Sequence, residues 1–176
     1  MNSQPKSIDE PVVLTHESLT ITSTSPLGNP NLDPNTGPVL QGYDVVSYYQ
    51  DNKMGPMKGS TKHQALYEGY TFLFHSPENM EVFLAKPEAY VPEFGGFCTY
   101  GVAEETYWTA STLAAPANPL VYLILEGHLH VFRSLNVLDW FQKLGVEKGV
   151  AEGKVNWAKL YGELPVFNTG IFYNSF

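Results

Sequence analysis

Two Glu-Gly pairs, Glu68-Gly69 and Glu126-Gly127, each lie between short runs of aromatic and β-branched residues, and this pattern constrains the fold more than any other. A two-residue hairpin turn places both central residues in the left-handed region, where glycine sits without steric cost. HQALYEGYTFLFHS therefore predicts strands over residues 65–67 and 70–74, and VYLILEGHLHVF predicts a second hairpin. A helix signal follows each. Ser76 precedes Pro77 and Glu78, as an N-cap, a proline in the first turn and an acid near the positive end of the helix dipole. Met80, Phe83 and Leu84 form its apolar face, and Pro87 ends the helix and opens a short turn through Tyr90. Ser134 caps a second helix with Val137, Leu138, Phe141 and Leu144 at helical spacing and Gly145 as its stop.

The rest reads less sharply. VLQGYDVVSYYQ predicts a partly buried strand or irregular turn, TYWTAST a strand, and residues 155–161 a third helix. VVLTHESLTIT predicts an edge strand or hairpin. Together these elements define an α+β fold class. Residues 1–38, with six prolines among Ser, Thr and Asn, read as an extended lead-in; residues 39–162 as the domain; and residues 163–176 as an aromatic tail packed on it. No internal repeat is evident.

With 176 residues, 43% of them hydrophobic, the chain can bury a substantial core, and no apolar run approaches the ~20 residues of a spanning helix. A net charge of -8 without clustered Lys or Arg disfavours nucleic acid and anionic membranes as partners. One cysteine excludes an internal disulfide. The first residues lack the basic start and apolar stretch of an export signal, which leaves the location open. Oligomeric state is not written in the sequence.

The chemistry-bearing residues are few. Cys98, in PEFGGFCTYG, is either a ligand to a soft metal or a small apolar side chain packed by Phe94, Phe97 and Tyr100. His128 and His130 alternate along a strand and so share a face, which would let both join Cys98 around one ion. His75 precedes a helix start, whereas His63 and His16 fall in segments that suit solvated surface roles. Asp44, between Tyr43 and two valines, suits a buried acceptor of backbone N–H groups. Phosphate-binding glycine loops, H-E-x-x-H and G-x-S-x-G are absent from the sequence.

QGYDVVSYY, KGS, the run from Tyr70 to Asn79, Phe83-x-x-x-Pro87-x-x-Tyr90 and Phe94-Gly95-Gly96-Phe97-Cys98 occur in this order, and over residues 39–103 they resemble the YHS-domain family. The eponymous Tyr-His-Ser is here Phe74-His75-Ser76, which keeps the ring and loses its hydroxyl. The resemblance implies a small α+β module associated with metals. The expectation is therefore a transition-metal site, copper first and zinc second, with Cys98 central and His128, His130 and His75 assisting. Two alternatives stand beside it: a metal-free module that binds a protein partner or small molecule, and an enzyme that uses Cys98 or a bound metal.

Overall fold

A computed structural model describes Val12–Leu14 and residues 25–51 and 55–174. Both hairpins form where the Glu-Gly pairs predict them. Strands β2 (Ser60–Tyr67) and β3 (Tyr70–Phe74) pair antiparallel, and β1 (Val12–Leu14) adds a parallel strand to the edge of β2. Strands β4 (Asn118–Leu125) and β5 (His128–Phe132) make a separate two-stranded sheet. Glu68 and Glu126 accept the left-handed backbone, with φ of 51° and 52°, and each is followed by a glycine in the same region. Helix α1 spans Pro77–Ala85 and helix α3 Leu135–Leu144, and the Ser76 and Ser134 hydroxyls accept the N–H of Asn79 and Val137. The fold class is mixed α+β, and among the described residues no helix is long and apolar enough to cross a membrane.

Strand β2 starts five residues before the expected Ala65, and three further segments depart from the sequence expectation. Residues 106–112 form turns rather than a strand, because Thr109 exchanges hydrogen bonds with Thr112 through both side chain and backbone. A short helix, α2 (Thr99–Glu104), follows Cys98 where a loop was expected. Helix α4 runs from Val146 to Tyr161, nine residues earlier than its expected start at residue 155. Gly149 and Gly153 hide that start, since glycine opposes helix formation. They are needed for packing: a Cβ would lie 2.3 Å from the Phe141 ring at Gly149 and 2.7 Å from the Phe94 ring at Gly153. Gly149→Ala, a change that stabilises an open helix by up to about 1 kcal/mol, is instead expected to destabilise this protein by roughly 1–3 kcal/mol through overpacking. Thermal unfolding followed by circular dichroism checks the sign.

The segment 25–38 is anchored rather than free. Asn29 and Leu32 are fully buried, and the Asn29 side-chain amide donates to the Ala110 and Leu113 carbonyls. Residues 166–173 also join the body: Asn168 N–H donates to Gly95 O and Tyr173 N–H to Ala117 O. The Phe167 ring packs against Tyr67, Tyr70 and Phe72. The rest of the stretch read as an edge strand or hairpin, residues 15–22, lies outside the described residues.

The structure also contains an internal repeat, which corrects the sequence reading. Each half opens on a tight left-handed turn, Val39–Gly42 or Glu93–Gly96, with Leu40 and Phe94 both at φ 51°. A hairpin and a Ser-capped helix follow. The registers correspond pair by pair: Ser60↔Phe74 with Asn118↔Phe132, Gln64↔Leu73 with Tyr122↔Val131, and Ala65↔Phe72 with Leu123↔His130. Both hairpins carry the same irregularity, between Ser60 and Gln64 and between Asn118 and Tyr122. Each repeat has its own core, one around Tyr70, Phe72, Phe74 and Phe83, the other around Phe94, Phe97, Phe132 and Phe141. Strand β5 serves both, since Leu129 and Val131 face the first core while Phe132 faces the second.

Candidate functional site

Asp44 and Cys98 occupy matching positions. Asp44 donates its N–H to Met57 O at 2.9 Å, and Cys98 donates to Ala115 O at 3.1 Å. Asp44 is fully buried, and its carboxyl oxygens accept from Val46 N, Ser47 N, His75 N and the Asn79 side-chain amide. These contacts tie the start of repeat one to the end of β3 and the first turn of α1. The acceptor role read from sequence for Asp44 is thus the one it fills. In repeat two Cys98 Sγ accepts from Arg133 N at 3.3 Å, the counterpart of the bond from His75 N to Asp44. Burial pushes the thiol above its ordinary pKa, while the N–H groups of Gly101, Arg133 and Tyr100 pull against it. The result is a protonated, buried thiol in a backbone cradle, a poor source of thiolate for either metal binding or nucleophilic attack.

The four expected metal ligands are not assembled around one point. His75 is exposed, and its backbone N–H is what engages Asp44. The His128 side chain is 48% exposed and lies 3.4 Å from Glu93 Oε1. His130 shares its strand face with His128 but is 1% exposed, with Nδ1 3.2 Å from the Thr99 hydroxyl. Among the described residues no three His, Cys, Asp or Glu side chains converge as an ion requires. As placed, Cys98, His128, His130 and His75 do not fit a copper or zinc ion. His16 lies outside the described residues.

What the structure does assemble is a cleft of about 490 Å³ between the β4–β5 hairpin and the first half of α4. Its apolar wall includes Ile124, Leu125, Val146 and Val150, and its polar groups include His130, His128, Glu93 and Lys154. This mixture, an apolar lining with a few directed polar groups, is typical of small-molecule sites. A smaller cleft of about 250 Å³ adjoins it, with Glu93 and His128 lining both.

His130 is the distinctive group in the wall. Desolvation first, then the charges of His128 and Lys154, hold its pKa down to about 4, so the ring is neutral near pH 7. The Phe94 ring meets it edge-on at 5.7 Å between centroids. The sequence marked His128 and His130 through their alternation. Glu93 and Lys154, which line the cleft, and Thr99, which meets His130 from behind it, carried no such signal, because each comes from a different element. Compared with protein-family models, curated proteins and solved structures, the chain matches none of them.

Proposed function

We propose that the chain is a YHS-like module that binds a small molecule in the cleft between the β4–β5 hairpin and α4. One observation carries this reading: His130 stands where the other repeat has Phe72. Repeat one shows that this position accepts an aromatic hydrocarbon ring, fully buried. An imidazole in its place adds a desolvation cost that the fold does not require. Departures from local consistency of this kind concentrate at sites kept for function. His130 also forms part of a cleft wall, whereas Phe72 packs under the Phe167 ring.

Metal handling and thiol catalysis are the competing readings, and both would need Cys98 to leave the cradle it shares in form with Asp44. The small-molecule reading uses the side chains where they stand.

The test uses prodan, a neutral fluorophore whose emission shifts to the blue in apolar surroundings. Wild-type protein is expected to bind it saturably at one site, and Val150→Trp, which fills the cleft from α4, is expected to weaken binding at least about tenfold. Equal prodan binding by a folded Val150→Trp variant, or no saturable binding by the wild type, would refute the assignment.

A further inference from the structure

Repeat one contains its own example of what sits on this hairpin face. The Phe167 ring packs on Tyr67, Tyr70 and Phe72, with centroid distances of 6.3, 5.2 and 5.3 Å. Two strand registers, Tyr67↔Tyr70 with Leu125↔His128 and Ala65↔Phe72 with Leu123↔His130, identify the counterparts as Leu125, His128 and His130. All three line the larger cleft. In repeat two the edge of the Phe94 ring meets His130, and the rest of the corresponding surface lines the cleft.

The histidine adds a directional requirement. Thr99 is fully buried, and among the described residues His130 Nδ1 is the one hydrogen-bond partner of its hydroxyl. Donation by this buried hydroxyl satisfies its proton, which favours Nδ1 as the acceptor and Nε2 as the protonated nitrogen of the ring. Among the described residues Nε2 has no partner, and the ring forms part of the cleft wall. Nε2–H would then be the one polar group of this ring left to meet a ligand at the cleft wall.

We infer that the ligand is an uncharged aromatic molecule bearing one hydrogen-bond acceptor oxygen, with its ring on Leu125, His128 and His130 and its oxygen accepting from His130 Nε2–H. This rests on the cleft reading above. Glu93, Glu126 and Glu147 around the cleft oppose an anionic ligand, and the apolar wall of Ile124, Leu125, Val146 and Val150 imposes a desolvation cost on a cationic one. The ring supplies contact area and the oxygen supplies orientation.

Three probes separate these requirements: acetophenone, ethylbenzene, which keeps the ring and lacks the oxygen, and cyclohexyl methyl ketone, which keeps the oxygen and lacks the aromatic ring. Binding is measured by NMR titration of ¹⁵N-histidine-labelled full chain, which also reports which ring nitrogen of His130 carries the proton. Acetophenone is expected to bind about tenfold more tightly than either analogue and to move the His130 Nε2 resonance. His130→Phe is expected to level acetophenone and ethylbenzene. Equal binding of the three probes, or a His130 proton on Nδ1, overturns the ligand class while prodan binding leaves the cleft assignment standing. Failure of all three probes and of prodan overturns both.

Discussion

Asp44→Ala is expected to destabilise the protein by roughly 3–5 kcal/mol, a large part of the 5–15 kcal/mol that holds a typical domain folded. The substitution leaves the N–H groups of Val46, Ser47 and His75 and the Asn79 amide without their acceptor in a buried site. The Asp44 side chain is fully buried, away from bulk solvent. Asp44→Asn keeps the volume and one carbonyl oxygen, and its loss should be smaller. Urea denaturation of the three proteins measures both. A loss below about 1 kcal/mol for the alanine variant would show that the cradle is not a structural centre.

The second large effect is an acid-dependent loss of stability centred on His130. Its pKa in the folded protein is held down to about 4, against about 6.5 in an unfolded chain. As pH falls through 6.5 the unfolded chain takes up the proton first, so stability is full above that value and declines down to about 4. Below that both states are protonated and this contribution is constant. The whole shift corresponds to roughly 3 kcal/mol. His128, Lys154, Glu93, Glu126 and Glu147 line the same cleft, so the wild-type curve alone does not isolate His130. His130→Phe isolates the term: the stability difference between variant and wild type should be constant above about pH 7 and move increasingly in the variant's favour below pH 6. Denaturation midpoints measured across this range for both proteins provide the check. Parallel curves would show that His130 does not titrate with unfolding.

Much of the fold was legible because its signals are local. Glu-Gly turns, Ser76 and Ser134 caps and the Pro87 stop each act within a few residues, and all appear where expected. Helix α4 was half hidden because Gly149 and Gly153 answer to Phe141 and Phe94, which are distant in sequence. The repeat escaped notice for a related reason. The two halves agree in hydrogen-bond geometry more than in residue type: a carboxylate in one and a thiol in the other receive the same backbone N–H groups. The strand alternation placed His128 and His130 on one face correctly. It could not show that one would be exposed beside Glu93 and the other buried against Thr99.

The packing of Phe167 has a consequence for how the chain is made. Synthesis runs from the N-terminus, and domains commonly fold as they emerge. Here the ring that completes the core around Tyr70 and Phe72 follows the whole of repeat two in the chain. The half translated first must keep its hairpin face uncovered until nearly all of its partner has been synthesised. Such contacts between residues far apart in sequence slow folding and prolong the exposure of apolar surface. Repeat two, whose corresponding face lines a cleft, waits for no such plug.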